Sequence, residues 1–347
     1  MAGITFKPKQ VTKRLLGNLQ ERAHDVIVNR YGLGDDAQSK TLEAIGKKYG
    51  ITRERVRQIE NAALNAIRKS EAFKGEHKTF GEIKSLISSM GALVHEDEFL
   101  STLSKDPATK NHIHFYLVLG DEFKKLKEDD HFSARWTIDE SLSDAVHSAL
   151  HTVYKSLSDK DLLSENDLVT RFIKELKDVS EQYKNEEIAR RWLGISKRIA
   201  KNPLGEWGPA NSQNVKTRGI KDYAYLMMKK HGSPMHFREV AKAIVDTFGR
   251  KTHVATTHNE LIKDPRFVLV GRGYYALQEW GYKQGVVRDV IREILEKEGP
   301  LTKEDVVDRV LKERFLKKNT ILVNLQNAKY FTKLSDGRYT VAQKSKK

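Results

Sequence analysis

Residues 51–60 read Ile-Thr-Arg-Glu-Arg-Val-Arg-Gln-Ile-Glu, and only Ile51, Val56 and Ile59 are aliphatic. A helical period sets Val56 and Ile59 on one side and turns Arg53, Glu54, Arg57 and Gln58 to the other. These four side chains match the edges of bases in a duplex major groove. Arginine pairs bidentately with guanine, glutamate accepts from cytosine N4, and glutamine pairs with adenine. The plainer alternative is a solvated helix face held by charge pairs three and four residues apart.

The neighbouring residues weigh against the plainer alternative. Thr41–Tyr49 predicts a short helix with Leu42, Ile45 and Tyr49 inward, ended by Gly50. Thr52 is an N-cap for a second helix, in which Val56, Ile59, Ala63, Leu64 and Ile67 form the buried stripe. A short helix, a glycine turn and a capped longer helix make a helix-turn-helix, whose second helix enters the groove by its first turns. An amphipathic helix is expected ahead of it over 12–31, carrying Leu15, Leu16, Leu19, Ala23, Val26, Ile27 and Tyr31.

The segments LQERAHDVIVNRYGL and KTLEAIGKKYGITRERVRQIENAALNAIRK carry a family likeness. Residues 15–70 resemble region 4 of bacterial primary sigma factors, the part that reads the −35 promoter element. The resemblance implies base-edge roles for Arg53, Glu54, Arg57 and Gln58, and places Arg55 and Lys47 nearer the phosphates. It also implies contact with the flap of the RNA polymerase β subunit. No counterpart of the aromatic-rich region that melts the −10 element is found in the sequence.

The rest of the chain repeats itself. Residues 284–341 run helix, helix, short helix and then two alternating strands around Asp336-Gly337, a hairpin turn. That is the order of a winged helix. Residues 218–280 repeat it around Gly271-Arg272-Gly273, residues 79–138 repeat it again, and 141–210 give a looser copy. Each copy closes on an aromatic residue, Trp136, Trp207, Tyr275 or Tyr339, expected to pack beneath its wing. The copy with SPMHFREVAKAI and DPRFVLVGRGYYAL resembles the HARE-type helix-turn-helix, a family that includes the N-terminal domain of the RNA polymerase delta subunit. Its members occur in transcription and chromatin proteins and in fusions to DNA-acting enzymes. The expected fold is mainly α with small β-hairpin wings, a helix-turn-helix followed by tandem winged helices. The divisions are expected at 1–78, 79–140, 141–215, 216–283 and 284–347.

The chain carries a formal net charge of +15, which favours an anionic partner. The five segments carry +7, −5, 0, +7 and +6 in chain order. Phosphate neutralisation by Lys and Arg supplies non-specific DNA affinity, and an acidic module laid on a duplex opposes it. The first, fourth and fifth modules are therefore expected to touch double-stranded DNA, and residues 79–215 to space them or dock protein. Acidic Glu128-Asp129-Asp130 stands where a DNA-binding wing carries a basic tip. Arg272 and Arg338 tip the two C-terminal wings. Lys251, His253, Thr256 and Thr257 begin the third helix of the fourth module, and Lys317, Lys318, Asn319 and Thr320 that of the fifth.

Enzyme signals are thin. There is no cysteine, so thiolate metal sites, disulfides and cysteine nucleophiles are excluded. No GxxxxGK[ST] loop occurs, and His112 and His114 lack a third ligand at suitable spacing. Apolar runs fall short of the ~18 residues a membrane span needs. The sequence thus predicts a cytoplasmic, nucleoid-associated protein without catalysis, cofactor or membrane partner. It would bind DNA sequence-specifically in transcription, reading a −35-like element through the helix after Thr52. The alternatives are an RNA polymerase-binding accessory factor and the DNA-targeting subunit of a restriction or repair system.

Overall fold

The computed structural model describes residues 3–282, 286–314 and 316–342. The expected division at 283/284 and the end of the last module, at 347, lie outside the described residues. Two compact units are present: residues up to Lys201 together with Glu206–Ala210, and Asn202–Gly205 together with the residues from Asn211 onward. Among the described residues there are 17 α-helices and ten short strands, all paired antiparallel. No helix among them is long and apolar enough to cross a membrane.

The first unit opens with α1 (Pro8–Leu16), α2 (Glu21–Tyr31), α3 (Leu42–Tyr49) and α4 (Arg53–Arg68). The single helix expected over 12–31 is two helices. Gly17 and Asn18, both poor helix formers, fall at the break. α3 and α4 form the expected helix-turn-helix around Val26, Ile45 and Val56, with Leu42, Tyr49, Ile51 and Ile59 packed alongside. Two glycines close its turn. Gly50 adopts φ 63°, the left-handed region that suits glycine. At Gly46 the two backbones nearly touch: Ile51 N donates to Gly46 O at 3.0 Å, and a Cβ on Gly46 would lie 2.6 Å from Ile51 O.

After α5 (Glu71–Gly75), four winged helices follow. The first comprises α6 (His77–Ser89), β1 (Leu93–His95), α7 (Glu96–Leu103), α8 (Pro107–Leu119), β2 (Lys124–Leu126) and β3 (Arg135–Thr137), in strand order β1-β3-β2. The second has α9 (Glu140–Ser156), α10 (Glu165–Glu175), α11 (Glu186–Leu193), β4 (Ile199–Lys201) and β5 (Trp207–Pro209). In the second unit, α12 (Ile220–His231), β6 (Met235–His236), α13 (Phe237–Phe248), α14 (Val254–Lys263), β7 (Phe267–Gly271) and β8 (Tyr274–Leu277) repeat the order, as β6-β8-β7. The last copy is α15 (Val287–Glu298), α16 (Lys303–Glu313), α17 (Lys318–Leu325), β9 (Phe331–Lys333) and β10 (Tyr339–Val341). Single bridges, Leu163 to Trp207 and Leu301 to Tyr339, replace the first strand in the second and fourth copies. Trp136, Trp207, Tyr275 and Tyr339 are all buried under their wings.

The cores do not follow the expected boundary at 78/79. One apolar cluster runs from Val11, Leu15, Ile27 and Ile67 through Phe80 and Ile83 to Phe115, Tyr116 and Trp136. A second joins Ala92 and Leu93 to Val146, Phe172 and Trp192. The Trp192 indole N–H donates to Leu93 O at 3.1 Å, across that seam. The reason for the shared core is α8, in which every residue from Ala108 to Leu119 is buried or half-buried. A helix apolar on all sides needs partners on all sides.

The Gly46–Ile51 approach generates a prediction. Gly46→Ala forces the turn open against backbone, not against a pliable side chain, and should destabilise the helix-turn-helix by about 1–3 kcal/mol. Chemical denaturation checks it; a midpoint equal to that of the parent would contradict the close approach.

Candidate nucleic-acid interface

Thr52 caps α4, its Oγ1 accepting from Arg55 N at 3.2 Å. From that cap Arg53, Glu54, Arg55, Arg57 and Gln58 all project into solvent, while Val56 is fully buried. The exposed groups are paired among themselves. Arg57 Nε and Nη2 donate to both oxygens of Glu54, at 2.9 and 2.6 Å, and Arg55 Nη1 donates to Gln58 Oε1 at 3.1 Å. The hydrogen bond from Arg57 holds the Glu54 carboxyl below its ordinary range, and the same bond raises the Arg57 guanidinium. So the charge-paired face weighed from sequence is present in the free protein. Exposed pairs of this kind are weak, roughly 0.3–0.5 kcal/mol, and a better-fitting base edge can replace them.

The far half of α4 is anchored. Tyr31 Oη donates to the buried Glu60 at 2.9 Å, and Arg30 Nε lies 3.4 Å from the same carboxylate. At the last turn Arg68 Nε donates to Leu119 O at 3.0 Å and Nη2 to Val118 O at 2.8 Å, satisfying carbonyls left open at the end of α8. The helix therefore offers a loose polar tip on a fixed shaft. Lys47, on the preceding helix, is exposed beside Glu43 at 3.5 Å.

In the second unit Lys251, Thr256, Arg272, Lys317 and Lys318 are exposed, at the helix starts and wing tip expected of them. Thr257 is a correction. It is completely buried, and its hydroxyl donates to His253 O at 3.3 Å and sits 3.2 Å from Thr252 Oγ1. Leu261, one turn on and also fully buried, shares its face, so Thr257 cannot reach a ligand outside. Arg338 is exposed but folded onto Asp336, its Nε donating at 2.7 Å across the hairpin turn.

The two middle copies lack a free reading helix. α8 is enclosed. It carries the tie between modules, with Thr12 Oγ1 2.8 Å from both His112 Nδ1 and Tyr116 Oη, and Asn111 Nδ2 donating to Gly32 O and Ala37 O. α11 presents Glu186 and Glu187 at its start, each paired one turn on with Arg190 and Arg191. The acidic wing is engaged internally. Lys197 Nζ donates to Glu128 at 2.7 Å, and Asp129 Oδ1 accepts from the amides of His131 and Phe132. Buried Arg135 donates through Nε to His147 Nε2 at 2.8 Å, with Asp129 Oδ2 3.3 Å from its Nη2. Among the described residues no group of three His, Asp or Glu side chains stands close enough to hold a metal ion. Sequence reading missed Arg68, Asn111 and Arg135. Their partners lie on other elements, and only the unbroken apolar content of α8 pointed to the seam.

Comparison with known proteins matches two segments. Residues 15–69 match the model of Sigma-70, region 4, and residues 218–280 match the HARE-HTH model, the ASXL and restriction endonuclease HTH domain. Both are helix-turn-helix domains of DNA-binding type. The chain is 46% identical over 63 residues to the RNA polymerase sigma factor RpoD of Helicobacter pylori, covering 18% of this chain and 9% of that one. It is 47% identical over 66 residues to the RNA polymerase principal sigma factor HrdD of Streptomyces viridifaciens, 19% and 20% of the two chains. Over 60 residues it is 47% identical to the RNA polymerase sigma factor SigA of a Bacillus species, 17% and 16%. The chain thus spans a fifth or less of these relatives' lengths. The matched domains belong to DNA binding in transcription.

The Arg135–His147 contact fixes a protonation state. Burial, then the neighbouring Arg135, brings the His147 imidazole down from 6.5 to about 4. A depressed histidine contributes stability that is full above its unfolded pKa and is lost as pH falls toward its folded one. Stability of the first unit should therefore decline as pH falls from about 6.5 toward 4. NMR titration of the His147 ring should find it neutral at pH 5.5; protonation with a midpoint near 6.5 would contradict the contact.

Proposed function

We propose that this protein binds duplex DNA sequence-specifically in transcription, without catalysis of its own, and reads a −35-like element with the first turns of α4. The observation that carries this reading is the capped, exposed tip of α4, with its shaft fixed by Glu60 and Arg68, in the segment 46% identical to a sigma factor. In the proposed complex Arg53, Glu54, Arg57 and Gln58 exchange their mutual pairs for base edges. Arg55 and Lys47 meet the flanking phosphates, and the amide end capped by Thr52 faces the backbone. The +7 and +6 segments at the C-terminal end add affinity through Lys251, Thr256, Arg272, Lys317, Lys318 and Arg338. Residues 79–215 hold the reading helix and contribute no DNA contact.

Arg57→Ala should weaken binding to the preferred duplex by roughly 1–3 kcal/mol and relax the preference at one base pair, with binding to random sequence little changed. Selection from a random duplex library, read for parent and variant, checks this. The same motif at the same affinity would remove α4 as the reader.

The identity to sigma factors favours contact with RNA polymerase as a second, compatible role. Co-purification with polymerase should then survive nuclease treatment. If it vanishes with the DNA, the sigma-like fold acts on DNA alone.

A further inference from the structure

Beside α12 lies a cleft of about 510 Å³, lined by Asn211, Ser212, Gln213, Lys216, Arg218, Lys221, Asp222, Asp264, Pro265 and Arg266. Pro265 is its only wholly apolar lining residue, so a polar occupant suits it better than the apolar ligands most pockets hold. Four cations stand against two carboxylates, and both carboxylates are already engaged. Arg266 donates through Nη2 to Asp222 at 2.9 Å and through Nε and Nη2 to Asp264 at 2.9 and 2.7 Å. The first amides of α12 are also taken, Arg218 N and Gly219 N donating to Asp222 Oδ2 at 2.9 and 3.0 Å. What remains unanswered is positive charge and hydrogen-bonding capacity. Lys216 and Arg218 are exposed and carry no ion pair among the described residues. Two buried polar atoms have no partner: the hydroxyl of Ser212, a residue only 5% exposed, and Nη1 of Arg266. A buried donor left without an acceptor costs about 1–3 kcal/mol, a penalty an acceptor entering the cleft would remove.

We propose that this cleft binds the phosphate group of a free, nucleotide-sized molecule. Lys216, Arg218 and Lys221 supply charge at the mouth, and Arg266 Nη1 and Ser212 Oγ supply donors at the floor. The two aspartates fix the Arg266 fork so that its remaining nitrogen faces the phosphate. Asn211 and Gln213, whose amides carry both donors and acceptors, stand at the rim for the rest of the ligand. A phosphate of bound DNA is the other source of the same chemistry, and the position argues against it. Asp264, Pro265 and Arg266 follow the end of α14, whereas Lys251 and Thr256 stand at its start, about 15 Å away along a ten-residue helix. The cleft lies at the end of α14 away from the residues expected to meet the duplex.

The test uses the full chain and calorimetric titration with ATP and with inorganic pyrophosphate, alongside a separate titration with duplex DNA. Saturable binding of either probe is expected. It should fall by at least about tenfold in the exposed double variant Lys216→Gln/Arg218→Gln, with affinity for the duplex unchanged. Ser212→Ala removes only the unpaired hydroxyl, so it should keep the melting temperature while weakening the probe. No saturable binding of either probe at millimolar concentration, or equal binding by parent and double variant, overturns the proposal. So does a double variant that loses affinity for the duplex alone, since the cleft would then belong to the DNA interface.

Discussion

Helix α8 has no side free for solvent, and the organisation of the first unit follows from that constraint. In a winged helix used for reading DNA, the third helix keeps one face open for the groove. In α8 every residue from Ala108 to Leu119 is covered to some degree, Phe115, Tyr116 and Leu117 completely. Burying a large apolar side chain stabilises by about 1.5–3 kcal/mol, so covering this helix outweighs the weak, exposed pairs elsewhere on the unit. The cover is provided by α1, α2 and the end of α4, and the helix-turn-helix and the first winged helix therefore share one core. The buried polar atoms of the seam are satisfied across it, by Thr12 to His112 and Tyr116, Asn111 to Gly32 and Ala37, and Arg68 to the last carbonyls of α8. A winged-helix copy that has given up its reading helix becomes the mount for a different one.

Electrostatics divides the chain along the same lines. The tip of α4 is held by weak, solvent-exposed pairs that exchange readily, while the pairs deeper in the first unit are buried and not replaceable without loss. The acidic Glu128–Asp130 wing turns its charge onto Lys197 and Arg135 and away from solvent, which accounts for a net −5 segment inside a chain of net +15. In the second unit the cationic residues at the starts of α14 and α17 stay exposed. A polyanion approaching the molecule meets free charge in some modules and charge already matched in others.

Much of this is legible in the sequence because the modules are small and locally determined. Thr52, Gly50 and the Val56–Ile59 stripe mark the helix-turn-helix within twenty residues, and Asp336-Gly337 and Gly271-Arg272-Gly273 mark the wings. What escapes a reading of the sequence is set by contacts distant along the chain. Thr12 and His112 are 100 residues apart, and nothing local to either announces the other. The split between α1 and α2 turns on Gly17-Asn18, a weak signal inside an otherwise good amphipathic period. Thr257 reads as a surface residue at a helix start, although Leu261 one turn later marks that face as the buried one. The mutual pairing of Glu54 with Arg57 is visible as spacing, but spacing alone does not say whether such a pair is the purpose of the residues or their resting state.

The account's central claim is that DNA contacts the tip of α4 and the two C-terminal winged helices, and leaves the two middle copies untouched. Chemical footprinting tests it directly, by acetylating lysines and modifying arginines with phenylglyoxal in the presence and absence of a bound duplex, with mass spectrometry as the readout. Arg53, Arg57, Lys47, Lys251, Lys317 and Lys318 should become protected, while Lys110, Lys174 and Arg191 react as they do in the free protein. Protection of Lys110, Lys174 or Arg191, with Arg53 and Arg57 still reactive, would contradict the account.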